Sequence, residues 1–223
     1  PYATIAMLMA IASAPIWFAG PAMGYFAPQG RQERGVFAYI RLVPTITFAA
    51  FTFGALEQGT LTLMPIYGLR IGLNEQSAAL LLSAFAAGNI FSQLPLGMLA
   101  DRMNRHLLLI LCALIGAGAI AALPFVHGSA LVMPLVFIFG GITSGLYTIG
   151  LTLLGQRIKG SDLAAANAAF VMMYNFGAIA GPAIGGTSME LLPPHGLPFA
   201  FAAITATFAL SAGWRYLRHR KAV

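Results

Sequence analysis

Residues 77–106 read SAALLLSAFAAGNIFSQLPLGMLADRMNRH. The run 77–100 carries no charge, and the next six residues bring Asp101, Arg102, Arg105 and His106 together. An apolar run of roughly 20 residues is what a helix needs to cross about 30 Å of hydrocarbon. A cluster of basic residues just beyond such a run marks the side of the membrane on which the chain emerges.

Six other stretches repeat this pattern. The spans are expected at 2–24, 43–67, 77–100, 107–126, 130–153, 164–190 and 198–216. Lipid offers backbone groups no hydrogen-bond partners, so the spans are predicted as helices; the alternating ten-residue strands of a barrel are missing from the sequence. Composition agrees: of 223 residues 59% are hydrophobic and 8% are charged, against about a quarter charged in a soluble domain. The bilayer is therefore expected to be the main partner of the surface, and the fold class all-α integral membrane.

Charge sets the expected orientation. Eleven of the twelve Lys and Arg residues fall in alternate loops and the tail: Arg31, Arg34 and Arg41; Arg102 and Arg105; Arg157 and Lys159; Arg215, Arg218, Arg220 and Lys221. Only Arg70 falls on the other side. The positive-inside rule then places the first residues outside and the tail in the cytoplasm. Trp17, Trp214 and Tyr216 stand near cytoplasmic helix ends, where interfacial anchors belong. The net charge of +6 is dispersed as topology signals, and nucleic acid is not an expected partner. Cys112 is the single cysteine, and His106, His127, His195 and His219 are far apart. Neither a metal site nor a cofactor is expected, and no nucleophile–base pair or phosphate-cradling glycine loop suggests an enzyme.

The loop Gly97-Met98-Leu99-Ala100-Asp101-Arg102-Met103-Asn104-Arg105-His106 resembles the signature loop of the major facilitator superfamily. That loop joins the second and third helices of each six-helix half on the cytoplasmic side. Here it joins the second and third helices of the block beginning at 43, on the side that the arginines assign to the cytoplasm. Asn104 stands where the family usually has Gly, a substitution that tolerates left-handed backbone, and His106 stands where it has Lys or Arg. The resemblance implies a cytoplasmic latch built on Gly97, Asp101, Arg102 and Arg105 that favours an outward-open state. Gly97 is expected to allow close helix approach, Asp101 to face a helix N-terminus, and Arg105 to pair with it at i+4.

In the sixth span Gly177, Gly181 and Gly185 recur every four residues around Pro182. The spacing predicts a small-residue packing face, with a kink invited near Ala178. The stretch is similar to the Gly-Pro-Gly-Gly motif of the fifth helix in antiporter members of the same superfamily.

One span and a basic linker precede the six-helix block, and a basic tail follows it. Set against the family, this implies three parts: the last helix of the N-terminal half (1–26), the central cytoplasmic loop (27–42), and the C-terminal six-helix bundle (43–223), seven spans in all. The first residue is Pro1 rather than Met, and the remainder of an N-terminal half is an expected partner.

Glu57, beside Gln58, is the one acidic residue expected deep in the membrane. An ionised carboxylate there is costly, which marks a functional group able to take up and release a proton. Gly140, Ser144, Thr148 and Thr152 form an i, i+4 stripe, as do Asn89, Gln93 and Gly97. Asn167 and Tyr174 share a face, with Asn175 beside it. Such stripes face a bundle interior or an aqueous cavity. Glu57, Gln58, Asn89, Gln93, Tyr147, Asn167, Tyr174 and Asn175 are the expected substrate or proton-coupling residues, with Tyr67 a weaker candidate. The expected function is transport of a small molecule by alternating access, secondary active and proton-coupled, in the bacterial inner membrane. The competing reading is a non-transporting membrane scaffold derived from a transporter half.

Overall fold

The computed structural model describes residues 5, 7, 9–13, 35–126 and 129–220. The chain divides into two units, Pro1–Arg31 and Gln32–Val223. The described residues of the first unit are helical; most of the expected first span and linker, Trp17 included, lie outside the described residues.

Among the described residues of the second unit every regular element is helical. The order is α1 (Val36–Leu42), α2 (Pro44–Arg70), α3 (Glu75–Arg102), α4 (Arg105–Ala122, continued by a 3₁₀ turn Leu123–Phe125), α5 (Val132–Arg157), α6 (Ser161–Leu191) and α7 (Gly196–Arg220). The helices α2 to α7 are the six expected spans of the block. Five are long and apolar enough to cross a membrane on their own, and α2 qualifies together with α1, from which it bends by 103°. This is an all-α, multi-pass membrane protein.

The helix ends follow local chemistry. Pro44 opens α2, where its missing N–H costs nothing. Asn74 caps α3 by accepting from the Ser77 N–H at 2.8 Å. Gly72, at φ 88°, makes the left-handed exit from α2 that a side chain would resist. Asn104 caps α4 by accepting from the N–H groups of His106 and Leu107. Its backbone is extended (φ −62°, ψ 115°), so it serves as an N-cap and not in the left-handed conformation expected from the sequence. The seven residues of α1 were expected as loop; they form a helix that buries Tyr39.

Two helix pairs dominate the packing, α2 with α6 and α3 with α5, while α4 packs on α7 and α5. Both dominant pairs are glycine contacts. A Cβ on Gly177 would strike the Phe51 carbonyl, one on Gly181 the Ala55 carbonyl, and one on Gly54 the Tyr174 carbonyl. The expected packing face of α6 is therefore real, and α2 answers it with a glycine of its own. Gly185 meets the side chains of Leu63 and Leu197. Pro182 is accommodated within a helix that runs to Leu191.

The α3–α5 pair uses the same device. Gly88 lies against the Phe137 carbonyl and Gly140 against that of Phe85. Gly97 does not take part: a Cβ there would meet nothing within 4 Å. Within this unit the α3 crossing falls at Gly88, more than two turns earlier. Around these crossings Phe139, Phe170, Phe201, Phe208, Leu56 and Met64 are fully buried. Ile90, Phe91, Leu94, Ile179 and Leu210 point outward, an apolar exterior suited to lipid or another helix bundle.

Candidate functional site

A cleft of about 330 Å³ opens among α2, α3, α5 and α6, lined by Phe53, Glu57, Asn89, Gln93, Ser144, Tyr147, Thr148 and Tyr174. Four helices contribute because the two glycine crossings draw α2 onto α6 and α3 onto α5, leaving side chains of all four to converge between the pairs.

Glu57 stands at the centre of the 27-residue α2 and is half-buried. The Tyr174 hydroxyl, from α6, donates to Glu57 Oε2 at 2.7 Å. That length is ordinary for an O–H···O hydrogen bond. Tyr174 is held by aromatic neighbours: its ring centroid is 6.1 Å from Phe53 and 5.8 Å from Tyr147, and Phe53 and Tyr147 are 5.6 Å apart. Phe170 braces Tyr147 from behind at 5.1 Å, edge to face. The carboxylate thus sits on a rigid aromatic floor.

The opposite wall is amide and hydroxyl. Gln93 Nε2 donates to Asn89 Oδ1 at 3.2 Å, one turn apart on α3. This orients the pair and leaves the Asn89 amide N–H groups and the Gln93 carbonyl for a guest. Ser144 donates to the Gly141 carbonyl at 2.7 Å and retains its acceptor lone pairs. The cleft therefore offers one acid, several neutral donors and acceptors, and an aromatic surface. That set can exchange a proton and hold a small molecule with both polar and apolar parts.

Of the eight residues expected from the sequence, five line the cleft: Glu57, Asn89, Gln93, Tyr147 and Tyr174. Gln58 is half-buried, while Asn167 and Asn175 are exposed, and none of the three is in its wall. Asn175 instead donates to its own Val171 carbonyl at 2.8 Å. Phe53, Ser144 and Thr148 complete the wall; the serine and threonine were in the expected α5 stripe but were not singled out as ligands, and Phe53 carried no polar signal. Tyr67 lies elsewhere, buried near the far end of α2, 3.2 Å from His195 Nδ1.

At one end of the bundle Arg105 Nη2 donates to Asp101 Oδ1 at 3.1 Å, and its Nε donates to the Ala100 carbonyl at 2.9 Å. The i, i+4 pairing expected from the sequence is present. The Asp101 side chain is 77% exposed, so in this unit the pair contributes little to stability. Its charge remains available to a surface outside the unit. At the other end Arg70 pairs with Glu190 at 3.4 Å and donates to the Met189 carbonyl at 2.9 Å, tying α2 to α6. Among the described residues no cluster of His, Cys, Asp and Glu is suited to a metal ion.

Comparison with known proteins matches residues 46–223 to the sequence model of the Major Facilitator Superfamily. An uncharacterized MFS-type transporter of Bacillus subtilis, YfkF, is 30% identical over 184 residues, covering 80% of this chain and 43% of the relative. The uncharacterized MFS-type transporter YcaD of Shigella flexneri is 26% identical over 149 residues, covering 66% of this chain and 38% of the relative. A further such transporter, from Yersinia pestis, is 29% identical over 129 residues. The chain spans about two fifths of the length of the first two relatives.

Proposed function

Because this chain belongs to the Major Facilitator Superfamily, we propose that it is the C-terminal half, with the preceding helix, of a transporter that moves a small molecule by proton-coupled alternating access, with Glu57 as its coupling group. One observation carries the reading: a lone carboxylate at the middle of a membrane helix opens into a polar cleft and is held by a tyrosine hydroxyl from another helix.

In this reading residues 1–26 are the last helix of the N-terminal half, 27–42 the central loop, and 43–223 the six-helix bundle, with the basic end in the cytoplasm of a bacterial inner membrane. The cleft is one wall of a midplane site. The other half covers α3 and α6, the least buried spans, where Ile90, Phe91, Leu94 and Ile179 are exposed. Ionised Glu57 accepts from Tyr174; after taking a proton it is neutral and can itself donate to a guest. Because the two forms differ in charge, they favour different occupants and different exposures of the cleft, which is the differential interaction that coupling requires. Gln58, Asn167 and Asn175, outside the cleft wall, are helix-contact or half-contact residues in this scheme. Asp101 and Arg105 form a latch against the other half.

The experiment begins with a panel of small molecules screened for those that stabilise the full-length protein against thermal unfolding. Uptake of each into vesicles is then compared with and without a proton gradient, for wild type and Glu57→Gln. The amide keeps hydrogen bonding but cannot titrate. Gradient-driven accumulation should collapse in Glu57→Gln while gradient-free exchange persists. Loss of exchange and binding as well would assign Glu57 to holding a cationic substrate instead. Full activity in every assay would make it a structural residue and remove the coupling proposal.

A further inference from the structure

The cleft is not the one cavity of the second unit. About 470 Å³ lies at the basic end of the bundle, with Arg41, His106, Arg157, Arg215, Thr45 and Tyr216 among its lining residues. Its size is that of a small-molecule site, about 300–1,000 Å³. The arginines come from three separate elements: α1, the last turn of α5 and the later turns of α7.

Among the described residues none of these three guanidiniums makes an ion pair, and no carboxylate lines the cavity. The acids among the described residues are committed elsewhere or placed elsewhere. Asp101 pairs with Arg105 and Glu190 with Arg70. Glu57 is in the cleft, Glu75 is in the first turn of α3 at the opposite end, and Asp162 does not line this space.

Topology signals alone require basic residues at helix ends and in loops, as at Arg102 and Lys159. They do not require three cations from different helices around one concavity, where their mutual repulsion opposes packing. An anion in the cavity would turn that repulsion into attraction. Planar guanidiniums match phosphate oxygens two at a time, and the Thr45 and Tyr216 hydroxyls line the same space as further donors.

We infer that this cavity binds a phosphate group at the basic end of the bundle, through Arg41, Arg157 and Arg215. The phosphate belongs either to the headgroup of an anionic lipid, since the arginines stand at helix ends where lipid phosphates lie, or to a soluble phosphate. The inference is independent of the role of Glu57.

The test uses delipidated full-length protein in detergent. One arm titrates phosphatidylglycerol, with phosphatidylcholine as control, read by native mass spectrometry and thermal unfolding. The other titrates inorganic phosphate, read by thermal unfolding. Saturable binding of phosphatidylglycerol alone identifies a lipid site, and saturable binding of phosphate identifies a soluble one. In either case the triple variant Arg41→Gln, Arg157→Gln, Arg215→Gln should weaken binding by at least about tenfold, and added salt should weaken it too. Lys159→Gln, outside the cavity, should leave it unchanged. Should the triple variant fail to fold, the three single variants decide, each expected to weaken binding severalfold. No saturable binding in either arm, or binding unchanged by the arginine variants, overturns the inference.

Discussion

Glu57 and Tyr174 come from helices 117 positions apart in sequence and meet at 2.7 Å. A double-mutant cycle tests whether this contact is energetic. Tyr174→Phe and Glu57→Leu, alone and together, should show a coupling of about 1 kcal/mol in thermal unfolding, as one part-buried hydrogen bond contributes. Purely additive losses would mean that the two groups do not interact. Glu57 was legible in the sequence because a single acid in an otherwise uncharged run carries a desolvation cost that packing alone seldom offsets. Tyr174 was legible as a polar residue on α6 but not as its partner, since a lone helix does not reveal what crosses it. Asn175 lies outside the cleft wall for a geometric reason. Asn175 is next to Tyr174, and neighbours on a helix diverge by about 100°, so it points away and bonds its own backbone. Phe53 was invisible to a search for polar groups, although its ring supports both tyrosines.

Among the elements, the glycine crossings decide where the helices sit, and the sequence showed one of the two. Gly177, Gly181 and Gly185 announce themselves by regular spacing. Gly88 is single and Gly140 falls within a polar stripe, so the α3–α5 crossing stayed hidden until their backbone neighbours were seen. A graded substitution checks the distinction. Gly181→Ala should cost about 1–3 kcal/mol, because its methyl group would overlap the Ala55 carbonyl. Gly186→Ala, with nothing within 4 Å, should be neutral or stabilise by up to about 1 kcal/mol through helix propensity. Equal effects in a thermal-unfolding assay of the folded fraction would refute the crossing. The α1 helix escaped notice because seven residues are too short for a span and carry no periodic signal of their own. It exists because Tyr39 is buried, a tertiary cause. At the topology level, a cysteine at Asn104 should label from the cytoplasm and one at Gly72 from outside. Labelling of both from one face would break the alternation of spans on which the orientation rests.

For the whole molecule, apolar runs and the arginine distribution were enough to expect six helices of one block, and α2 to α7 are those helices. What the sequence could not supply was convergence: that four helices place an acid, two amides and two tyrosines around one space depends on which faces the glycine crossings bring together. In the proposed cycle that space is one wall of a site reached alternately from the two sides of the membrane, with Asp101 biasing the choice. The most direct measurement places Thr148→Cys, in the cleft wall, into full-length protein whose buried Cys112 has been replaced by Ala. Its reaction rate with a membrane-impermeant maleimide is followed in right-side-out and inside-out vesicles, with and without Asp101→Asn. Alternating access predicts labelling from both faces, and opposite changes on losing the Asp101 charge: faster from the cytoplasm, slower from outside. Labelling from neither face, or rates that move together on both, would contradict it.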